Sequence, residues 1–323
     1  MTVRIVVSDS KVIDLDTKYS AFADIDATVR TTDAQDSEAL IKDIEDANAL
    51  IVDAGTQVTA DVLTSISSLQ VVGRSGIGVD NVDVTTAQEL DITVVNVPDY
   101  CIDEVSTHAF GMLLSCARRL PRFHAIVKDG EWDWSRARPI YRMAGKTVGI
   151  VGFGRIGRSF AQKLRGFELD IIVYDPYISS AESSKYDVTR EDFDKLLSES
   201  DFVSIHAPLT DETRGLFDAT AFELMNENTI IINTARGPII DEDALIDALA
   251  TDSIGGVGLD VRNSEPPEDD QLLGFENVIV SPHAAFYSEE SRRELTHSVC
   301  EDVVRVLQGD RPHNIVNHEN EWV

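Results

Sequence analysis

One stretch of this 323-residue chain, from Thr147 to Asp175, constrains its fold more than any other. A short apolar run leads into Gly152, Gly154 and Gly157, an amphipathic run follows, and a second apolar run ends in Asp175. This order predicts a buried strand, a tight turn, a helix and a second parallel strand. The first glycine permits the turn, the second lets backbone approach a pyrophosphate, and the third lets the helix pack on the strand. Because the predicted helix directs its amide groups and positive dipole end at the turn, the stretch predicts a dinucleotide-binding unit.

The residue that ends the second strand bears on which dinucleotide is bound. A carboxylate at Asp175 accepts hydrogen bonds from the hydroxyl groups of the adenosine ribose. The same carboxylate repels a ribose 2′-phosphate, and the next residues, Pro176 and Tyr177, supply no cation. We therefore expect the cofactor to be NAD rather than NADP.

Apolar runs alternate with helical spacing over the rest of the chain, which predicts parallel α/β sheets. We expect two doubly wound, Rossmann-like domains with an active-site cleft between them. One is a flavodoxin-like domain of residues 1–98 and 291–323, and the other is the dinucleotide-binding domain of residues 99–290. Further strands are predicted at residues 3–8, 49–52, 69–73, 93–97, 202–205, 229–233, 256–259 and 278–280. Helices are predicted at residues 38–46, 103–120, 189–198, 241–250 and 288–307, with Pro121 marking the end or a kink of the second.

Charge separates this chain from several classes of protein. It has 57 acidic and 28 basic residues, a formal charge of −29 at pH 7. Such a charge repels nucleic acid and anionic membranes, so we expect neither as a partner. The acids are spread over the whole length, which indicates a halophilic surface whose self-repulsion is screened by salt. The N-terminus enters a strand pattern directly and no apolar run approaches a membrane span, so we expect a cytoplasmic protein.

Cysteines and tryptophans give weaker signals. The three cysteines, Cys101, Cys116 and Cys300, are too far apart for a metal-binding spacing or a disulfide framework, so we expect no bound metal. Trp132 and Trp134 lie in a polar stretch after the long predicted helix. Two interpretations stay open for this pair, a satellite core cluster and an oligomer contact.

Three residues that follow predicted strands, Arg236, Glu265 and His283, suggest chemistry on a 2-hydroxy acid. In open parallel sheets, ligands bind beyond the carboxyl ends of the strands. Arg236 offers an always-charged fork for the substrate, and His283 offers an acid/base near neutrality. Glu265 would hold the imidazole in one tautomer. Each residue alone could be a surface ion pair, a cap or a loop charge, but their joint occurrence behind a nucleotide fold favours catalysis.

These motifs resemble those of the D-isomer-specific 2-hydroxyacid dehydrogenases over essentially the full length of the chain. The resemblance implies that Arg236 clamps the substrate, that His283 is the acid/base, and that Glu265 is its partner. It also implies a homodimer with residues 100–142 at its centre. The motifs that carry it are Gly152–Gly157, His206–Thr213, Asn233–Gly237, Leu259–Val261, Glu265–Pro267 and Ser281–His283.

The resemblance further implies which residues meet the ligands. The backbone amides of one glycine-rich loop would receive the substrate carboxylate, and the domain of residues 1–98 and 291–323 would be the substrate domain. The substrate-binding residues are then Ser75, Gly76, Ile77 and Gly78. The cofactor-binding residues are Gly152, Gly154, Arg155, Ile156, Gly157, Asp175, His206, Pro208, Thr213, Thr234, Ala235 and Asp260, with Asp260 meeting the nicotinamide amide.

Two functions from different classes remain open. The first is an NAD-dependent enzyme that interconverts a small 2-keto acid and its D-2-hydroxy acid. The second is a non-catalytic scaffold that senses NAD(H), because the segment 283–290 resembles the branch that contains the C-terminal-binding proteins. We favour the enzyme. A phosphite or phosphoglycerate dehydrogenase is a related possibility, although the latter often has a regulatory domain for which this chain ends too soon. Formate dehydrogenases have Gln where this chain has Glu265, so that activity is not expected. The substrate side chain would meet residues 52–55, Tyr100, Phe286 and a tryptophan of a partner subunit.

Overall fold

The chain divides into two compact units of unequal size. One comprises Met1–Cys101 and Tyr287–Val323, and the other comprises Ile102–Phe286. The assignment of the substrate to the first and of the dinucleotide to the second stays a prediction. The computed structural model describes residues 2–8, 13, 21–23, 25–34, 36–268 and 270–316.

Both units are built from parallel strands joined by helices, as the alternating pattern predicts. The strands are β1 (Val3–Ser8), β2 (Ala27–Thr32), β3 (Ala49–Val52), β4 (Val71–Arg74), β5 (Thr93–Val95), β6 (Thr147–Val151), β7 (Asp170–Tyr174), β8 (Thr189–Arg190), β9 (Phe202–Ile205), β10 (Ile230–Asn233), β11 (Gly256–Leu259) and β12 (Val278–Val280). The α-helices are α1 (Ser37–Ile44), α2 (Ala60–Thr64), α3 (Val84–Glu89), α4 (Ile102–Ala117), α5 (Leu120–Lys128), α6 (Arg155–Leu164), α7 (Ser180–Lys185), α8 (Phe193–Glu199), α9 (Ala219–Leu224), α10 (Glu242–Ala250) and α11 (Glu289–Gln308).

The first unit contains a five-stranded parallel sheet in the order β2-β1-β3-β4-β5. This is the flavodoxin-like order, with its topological switch point between β1 and β3. Apolar clusters cover both faces of the sheet, and α11 contributes Leu295, Val299 and Val303 to one of them. The chain then returns to the edge strand, because the Val316 amide donates to the carbonyl of Val94. The loops that follow β3 and β4 are thus held at the carboxyl edge of a sheet packed on both faces.

The second unit contains a seven-stranded parallel sheet in the order β12-β11-β10-β9-β6-β7-β8. The order reverses between β6 and β9, which is the switch point of a Rossmann fold. Helices α8, α9 and α10 contribute to the apolar cluster on one face, and α4 and α6 contribute to the cluster on the other. The carboxyl ends of β6, β9, β10, β11 and β12 therefore lie along one edge. The two parallel α/β sheets confirm the predicted fold class.

Two strands were missed or misassigned at the edges of these sheets. The helix predicted at residues 189–198 is wrong at its start, because β8 pairs with β7 and the helix begins only at Phe193 after Asp192. Strand β2 was not predicted, since it alternates between exposed and partly buried residues and lies at the edge of its sheet. Polar edge strands give no continuous apolar run, which is the signal on which the other assignments rest.

The break after the long helix of the second unit is not made by Pro121. Helix α4 ends at Ala117, and Arg119 adopts a left-handed conformation with φ of 50°. Pro121 then lies in the first turn of α5. Proline is well tolerated there because the first amide groups of a helix have no partner within it. The expectation that Pro121 marks an end or a kink is therefore wrong.

The tryptophan pair is fully outside the core of the chain. Trp132 is 91% exposed and Trp134 is 70% exposed. This exposure rules out the satellite core cluster and leaves the oligomer contact as the interpretation. The guanidinium of Arg138 lies over the Trp134 ring at 5.3 Å, a cation–π contact that orients it.

The described part of the chain has neither a metal-binding cluster nor a membrane-spanning helix. It contains no group of three or more His, Cys, Asp or Glu side chains placed to hold a metal ion. None of its helices has the length and apolarity needed to cross a membrane. The three cysteines are free thiols, and burial raises the pKa of Cys116 to about 12.

Candidate active site

The glycine turn after β6 has the geometry that its spacing predicts. Gly152 has φ of 89°, and a Cβ there would lie 2.5 Å from the amide nitrogen of Ala207. A Cβ on Gly157 would lie 2.3 Å from the carbonyl oxygen of Gly152, so the helix packs directly on the turn. At Gly154 the situation is the reverse, since no atom lies within 4 Å of the added carbon. The turn therefore leaves open space beside the first residues of α6.

Asp175 ends β7 beside this turn, and its carboxylate is buried. Oδ2 accepts a hydrogen bond from the amide of Phe153 at 2.7 Å, and Oδ1 accepts one from the amide of Tyr177 at 2.9 Å. Each carboxylate oxygen can accept a second bond. Asp175 thus ties the second strand end to the glycine turn and retains acceptor capacity for ribose hydroxyls.

His206 follows β9 and is unsuited to proton transfer near neutrality. Its Nε2 lies 2.8 Å from Ser204 Oγ, and its ring packs against Phe160 with 5.0 Å between ring centres. Desolvation lowers the pKa of His206 to about 3. The imidazole is therefore neutral in any ordinary working range, which leaves the acid/base role to another histidine.

The loops after β9 and β10 contain the other predicted cofactor residues. Thr213 Oγ1 donates to the carbonyl of Pro208 at 2.7 Å, closing the loop between them. Thr234 Oγ1 is buried and has no hydrogen-bond partner among the described residues. A buried hydroxyl without a partner costs free energy unless a ligand satisfies it. Thr234 is therefore a candidate ligand contact on structural grounds.

Arg236 is placed by a rigid turn. Asn233 holds this turn, because its Nδ2 donates to the Arg236 carbonyl at 2.8 Å and its Oδ1 accepts from the Ala235 amide at 3.0 Å. A Cβ on Gly237 would lie 2.1 Å from the backbone of Arg262. The loops that carry Arg236 and Glu265 are therefore in direct backbone contact, which the sequence did not reveal.

Glu265 and His283 form the central pair of the site. Glu265 Oε2 lies 2.6 Å from His283 Nδ1, with each side chain about one-third exposed. The other oxygen, Oε1, accepts from the amide of Arg262 at 2.8 Å. Although desolvation raises the pKa of Glu265, the hydrogen bond and charge of His283, the Arg262 amide and the charge of Arg236 together lower it below its usual range. An ionised Glu265 fixes the Nδ1–H tautomer and leaves Nε2 for a ligand.

Asp260 serves as a buried clamp for the segment that carries His283. Its side chain is 1% exposed. Oδ1 accepts from Ser281 Oγ at 2.5 Å and from the Ala284 amide at 2.8 Å, while Oδ2 accepts from the Ala285 amide at 2.9 Å. The Asp260 carbonyl also accepts from the His283 amide at 2.8 Å. These bonds stabilise His283 in a left-handed conformation with φ of 50°, which is unfavourable for a residue with a side chain. Contact between Asp260 and the nicotinamide amide stays a prediction.

Two further residues of the site region were not identified from the sequence. His108 was expected to pack, but its Nε2 lies 2.9 Å from Ser281 Oγ and so reaches the same clamp. Arg262 is 7% exposed and forms a bidentate pair with Glu242, at 3.0 and 3.1 Å, and a 2.6 Å pair with Asp270. An ion triad centred on the buried Arg262 therefore fixes the loop that positions Glu265. No periodicity or motif signals such a triad.

The predicted substrate loop, in the first unit, follows β4. Arg74 is 6% exposed, and its Nη1 donates to the Ser75 carbonyl at 2.7 Å beneath Gly76. Asn96 Nδ2 donates to the Ile77 carbonyl at 2.7 Å. Ser75 Oγ is buried without a hydrogen-bond partner among the described residues. The loop carbonyls thus have partners within the fold. The Ser75 and Gly76 amides also donate to backbone carbonyls, those of Val52 and Arg74, at 2.7 and 2.9 Å, so within the described residues the Ile77 and Gly78 amides are the ones left for the carboxylate that the sequence predicts there.

The chain is similar in sequence and in fold to a set of known dehydrogenases and reductases. Residues 110–285 match the family profile described as D-isomer specific 2-hydroxyacid dehydrogenase, NAD binding domain. The chain is 36% identical to the hydroxypyruvate reductase of Thermotoga maritima over 280 residues, which is 86% of this chain and 90% of that protein. A crystal structure of D-lactate dehydrogenase from Aquifex aeolicus, complexed with NAD and lactic acid, superposes with a TM-score of 0.88 at 25% identity, covering 97% of this chain and 98% of that one.

One group of relatives is longer than this chain. The D-3-phosphoglycerate dehydrogenase of Methanocaldococcus jannaschii is 41% identical over 285 residues, which is 88% of this chain and 54% of that protein. The chain thus spans about half the length of the phosphoglycerate dehydrogenases that it matches. The profile match covers more than half of the chain, and the hydroxypyruvate reductase is matched over nearly its whole length. The chain belongs to the D-isomer specific 2-hydroxyacid dehydrogenase family.

Proposed function

We propose that this protein is an NAD-dependent dehydrogenase that reversibly reduces a small 2-keto acid to the D-2-hydroxy acid. One observation carries the proposal: the 2.6 Å contact between Glu265 and His283, held in the same unit as the glycine turn. An imidazole whose Nδ1 is fixed by an ionised carboxylate is equipped to exchange a proton at Nε2.

Each residue of the proposed site has one task. The backbone amides of Ile77 and Gly78 bind the substrate carboxylate, and the Arg236 guanidinium orients the substrate and polarises its C2 oxygen. In reduction, His283 Nε2 donates a proton to the C2 oxygen, and in oxidation it accepts that proton. Glu265 stabilises the protonated imidazole. The bound nicotinamide supplies or accepts the hydride.

The described residues fit a dinucleotide. The space beside Gly154 suits a pyrophosphate at the start of α6, where amide groups point outward. The Thr234 hydroxyl has no hydrogen-bond partner among the described residues, and a bound dinucleotide can supply one. We infer a preference for NAD because Asp175 places a carboxylate at the end of β7, where a 2′-phosphate would be repelled. Arg155, Ile156, Pro208, Thr213 and Ala235 stay proposed contacts around the same ligand.

The proposal is tested by following NADH oxidation with a panel of 2-keto acids in concentrated salt. His283→Ala should lose about a hundred- to ten-thousandfold in kcat, because positioned proton transfer contributes that much. NADH affinity, measured by fluorescence, should persist. His297→Ala is the matched control, since that imidazole is exposed on α11. Full turnover in His283→Ala would refute the assignment.

A scaffold that senses NAD(H), of the kind found in the C-terminal-binding-protein branch, is the second candidate. The exposed Trp132 and Trp134 favour it, because large exposed aromatic side chains often anchor partners. The two candidates differ in turnover. A protein that binds NADH tightly but reduces none of the 2-keto acids at any salt concentration would be the scaffold.

We also infer a homodimer centred on residues 100–142 in a halophilic, cytoplasmic protein. The exposed tryptophans support the interface, and a twofold arrangement would use each of them twice. The charge of −29 opposes both folding and association at low ionic strength. Screening shortens to about 3 Å at 1 M salt, so sedimentation across a salt series should show dimer content and activity rising together. An active monomer in high salt would defeat the dimer, and full stability without salt would defeat the halophilic surface.

A further inference from the structure

The carboxyl edge of the first sheet places a carboxylate beside the proposed substrate loop. Asp53 follows β3 directly, and Ser75 follows the neighbouring strand β4. The Ser75 amide donates to the carbonyl of Val52 at 2.7 Å, and Asn81 Nδ2 donates to the carbonyl of Asp53 at 2.8 Å. The backbone of Asp53 is therefore fixed about one strand spacing, ~4.8 Å, from the loop.

Only one oxygen of the Asp53 carboxylate is used by the fold. Oδ1 accepts hydrogen bonds from the Gly55 amide at 3.1 Å, from the Thr56 amide at 3.1 Å and from Thr56 Oγ1 at 2.9 Å. This Asx turn fixes the side chain. Within the described residues, Oδ2 makes no hydrogen bond and no ion pair, and the side chain is partly exposed. A negatively charged acceptor is thus available to a ligand at this edge.

The cation at the same edge is turned inward. Arg74 is the one basic residue that ends a strand of this sheet, and it is 6% exposed beneath Gly76. Its guanidinium donates to the Ser75 carbonyl from below the loop. The positive charge of Arg74 therefore favours one anionic group bound on the loop amides. The negative charge of Asp53 disfavours a second anionic group on the part of a ligand that lies beside Asp53.

We propose that Asp53 makes the site specific for a monoanionic 2-keto or 2-hydroxy acid with an uncharged hydrogen-bond donor on C3, such as a hydroxymethyl group. It excludes acids with a phosphate or second carboxylate at that end. This inference rests on the proposed function, because it takes the amides of Ile77 and Gly78, in the loop after β4, as the carboxylate site. C3 is two bonds from the carboxylate carbon, so its substituent stays near Asp53. At an effective dielectric constant near 20, repulsion between the Asp53 carboxylate and a second anionic group near it lowers affinity by roughly tenfold or more.

The test compares kcat/KM for hydroxypyruvate, pyruvate, oxaloacetate and 3-phosphohydroxypyruvate with NADH in concentrated salt. Hydroxypyruvate should be preferred to pyruvate, and both dianionic acids should be at least about tenfold poorer. Asp53→Asn keeps the Oδ1 acceptor of the turn and removes the charge. In this variant, kcat/KM for a dianionic acid divided by kcat/KM for hydroxypyruvate should rise by about tenfold, and the melting temperature should stay unchanged.

Asp61→Asn is the matched control, since that carboxylate is exposed on α2 and makes the same change of charge. Its substrate ratios should equal those of the wild type. The role of Asp53 would be overturned by a wild-type enzyme that prefers the phosphorylated acid, or by an Asp53→Asn enzyme with the substrate ratios of the wild type. Either result would leave the proposed function in place. A wild type that reduces none of the four acids would overturn the proposed function together with the role of Asp53.

Discussion

Replacing Asp260 by asparagine separates two roles for this residue, a clamp on the His283 segment and a contact to the nicotinamide. The carboxylate accepts three hydrogen bonds, from Ser281 Oγ and from the amides of Ala284 and Ala285. An asparagine keeps one acceptor oxygen and turns its NH2 group toward a donor, so at least one bond is lost and the others become neutral. A bond to a charged group contributes about 1.5–3 kcal/mol and a neutral one about 1 kcal/mol, so we expect the free energy of unfolding to fall by about 2–4 kcal/mol.

The consequence for catalysis follows from the backbone. His283 holds a left-handed conformation that costs about 1–3 kcal/mol, and the clamp is what stabilises it. Asp260→Asn should therefore lower kcat at least tenfold while NADH affinity changes by less than about threefold. Urea unfolding, single-turnover kinetics and NADH titration on the same preparation measure all three quantities. Asp247→Asn, at an exposed acid on α10, is the control. A tenfold loss of NADH affinity with unchanged stability would refute the clamp and favour the nicotinamide contact.

Three other changes test the rest of the site. Glu265→Gln should move the pH–rate profile to lower pH, because the His283 imidazolium loses an adjacent negative charge. The control is Glu268→Gln, at an exposed residue of the same loop, which should leave the profile unchanged. A Glu265→Gln profile equal to that of the wild type would count against the Glu265–His283 pair. Asp175→Ala should raise the KM for NADH and reduce the preference for NADH over NADPH. A wild-type enzyme that already prefers NADPH would show that the role assigned to Asp175 is wrong. Gly154→Ala and Gly157→Ala form a matched pair. The methyl group added at Gly154 meets no protein atom, so this variant should lose dinucleotide affinity with an unchanged melting temperature. The methyl group added at Gly157 meets the Gly152 carbonyl, so that variant should also have a lower melting temperature. Unchanged dinucleotide affinity in Gly154→Ala would remove the pyrophosphate from that space.

The strands and the glycine turn could be predicted because their signals are local. Strand β3 and strand β11 are continuous apolar runs buried at every position, and the positive φ of Gly152 is a requirement that glycine alone meets easily. The same logic fails for β2, whose residues alternate in burial, and for β8, which is two exposed residues long. An edge strand is defined by its neighbour across the sheet, which a local pattern does not contain.

The site could be predicted in its residue types but not in its internal supports. Arg236, Glu265 and His283 each follow a strand, and the topology of a parallel sheet brings strand ends to one edge. The clamp on His283 instead joins residues 260 and 285, and the ion pair between Arg262 and Glu242 joins residues twenty positions apart. Such contacts depend on which loops meet in space, and a single sequence gives no distance between them.

The internal supports also explain how a chain with so many acids can keep a defined site. Most carboxylates among the described residues are exposed or partly exposed to solvent, where salt screens them, and each exposed ion pair contributes little to stability. Asp260 and Arg262 are buried, and each has hydrogen-bond or ion-pair partners, so added salt has little access to their charges. The geometry around His283 is therefore set by charges that salt does not reach, while the stability of the whole chain is set by charges that it does.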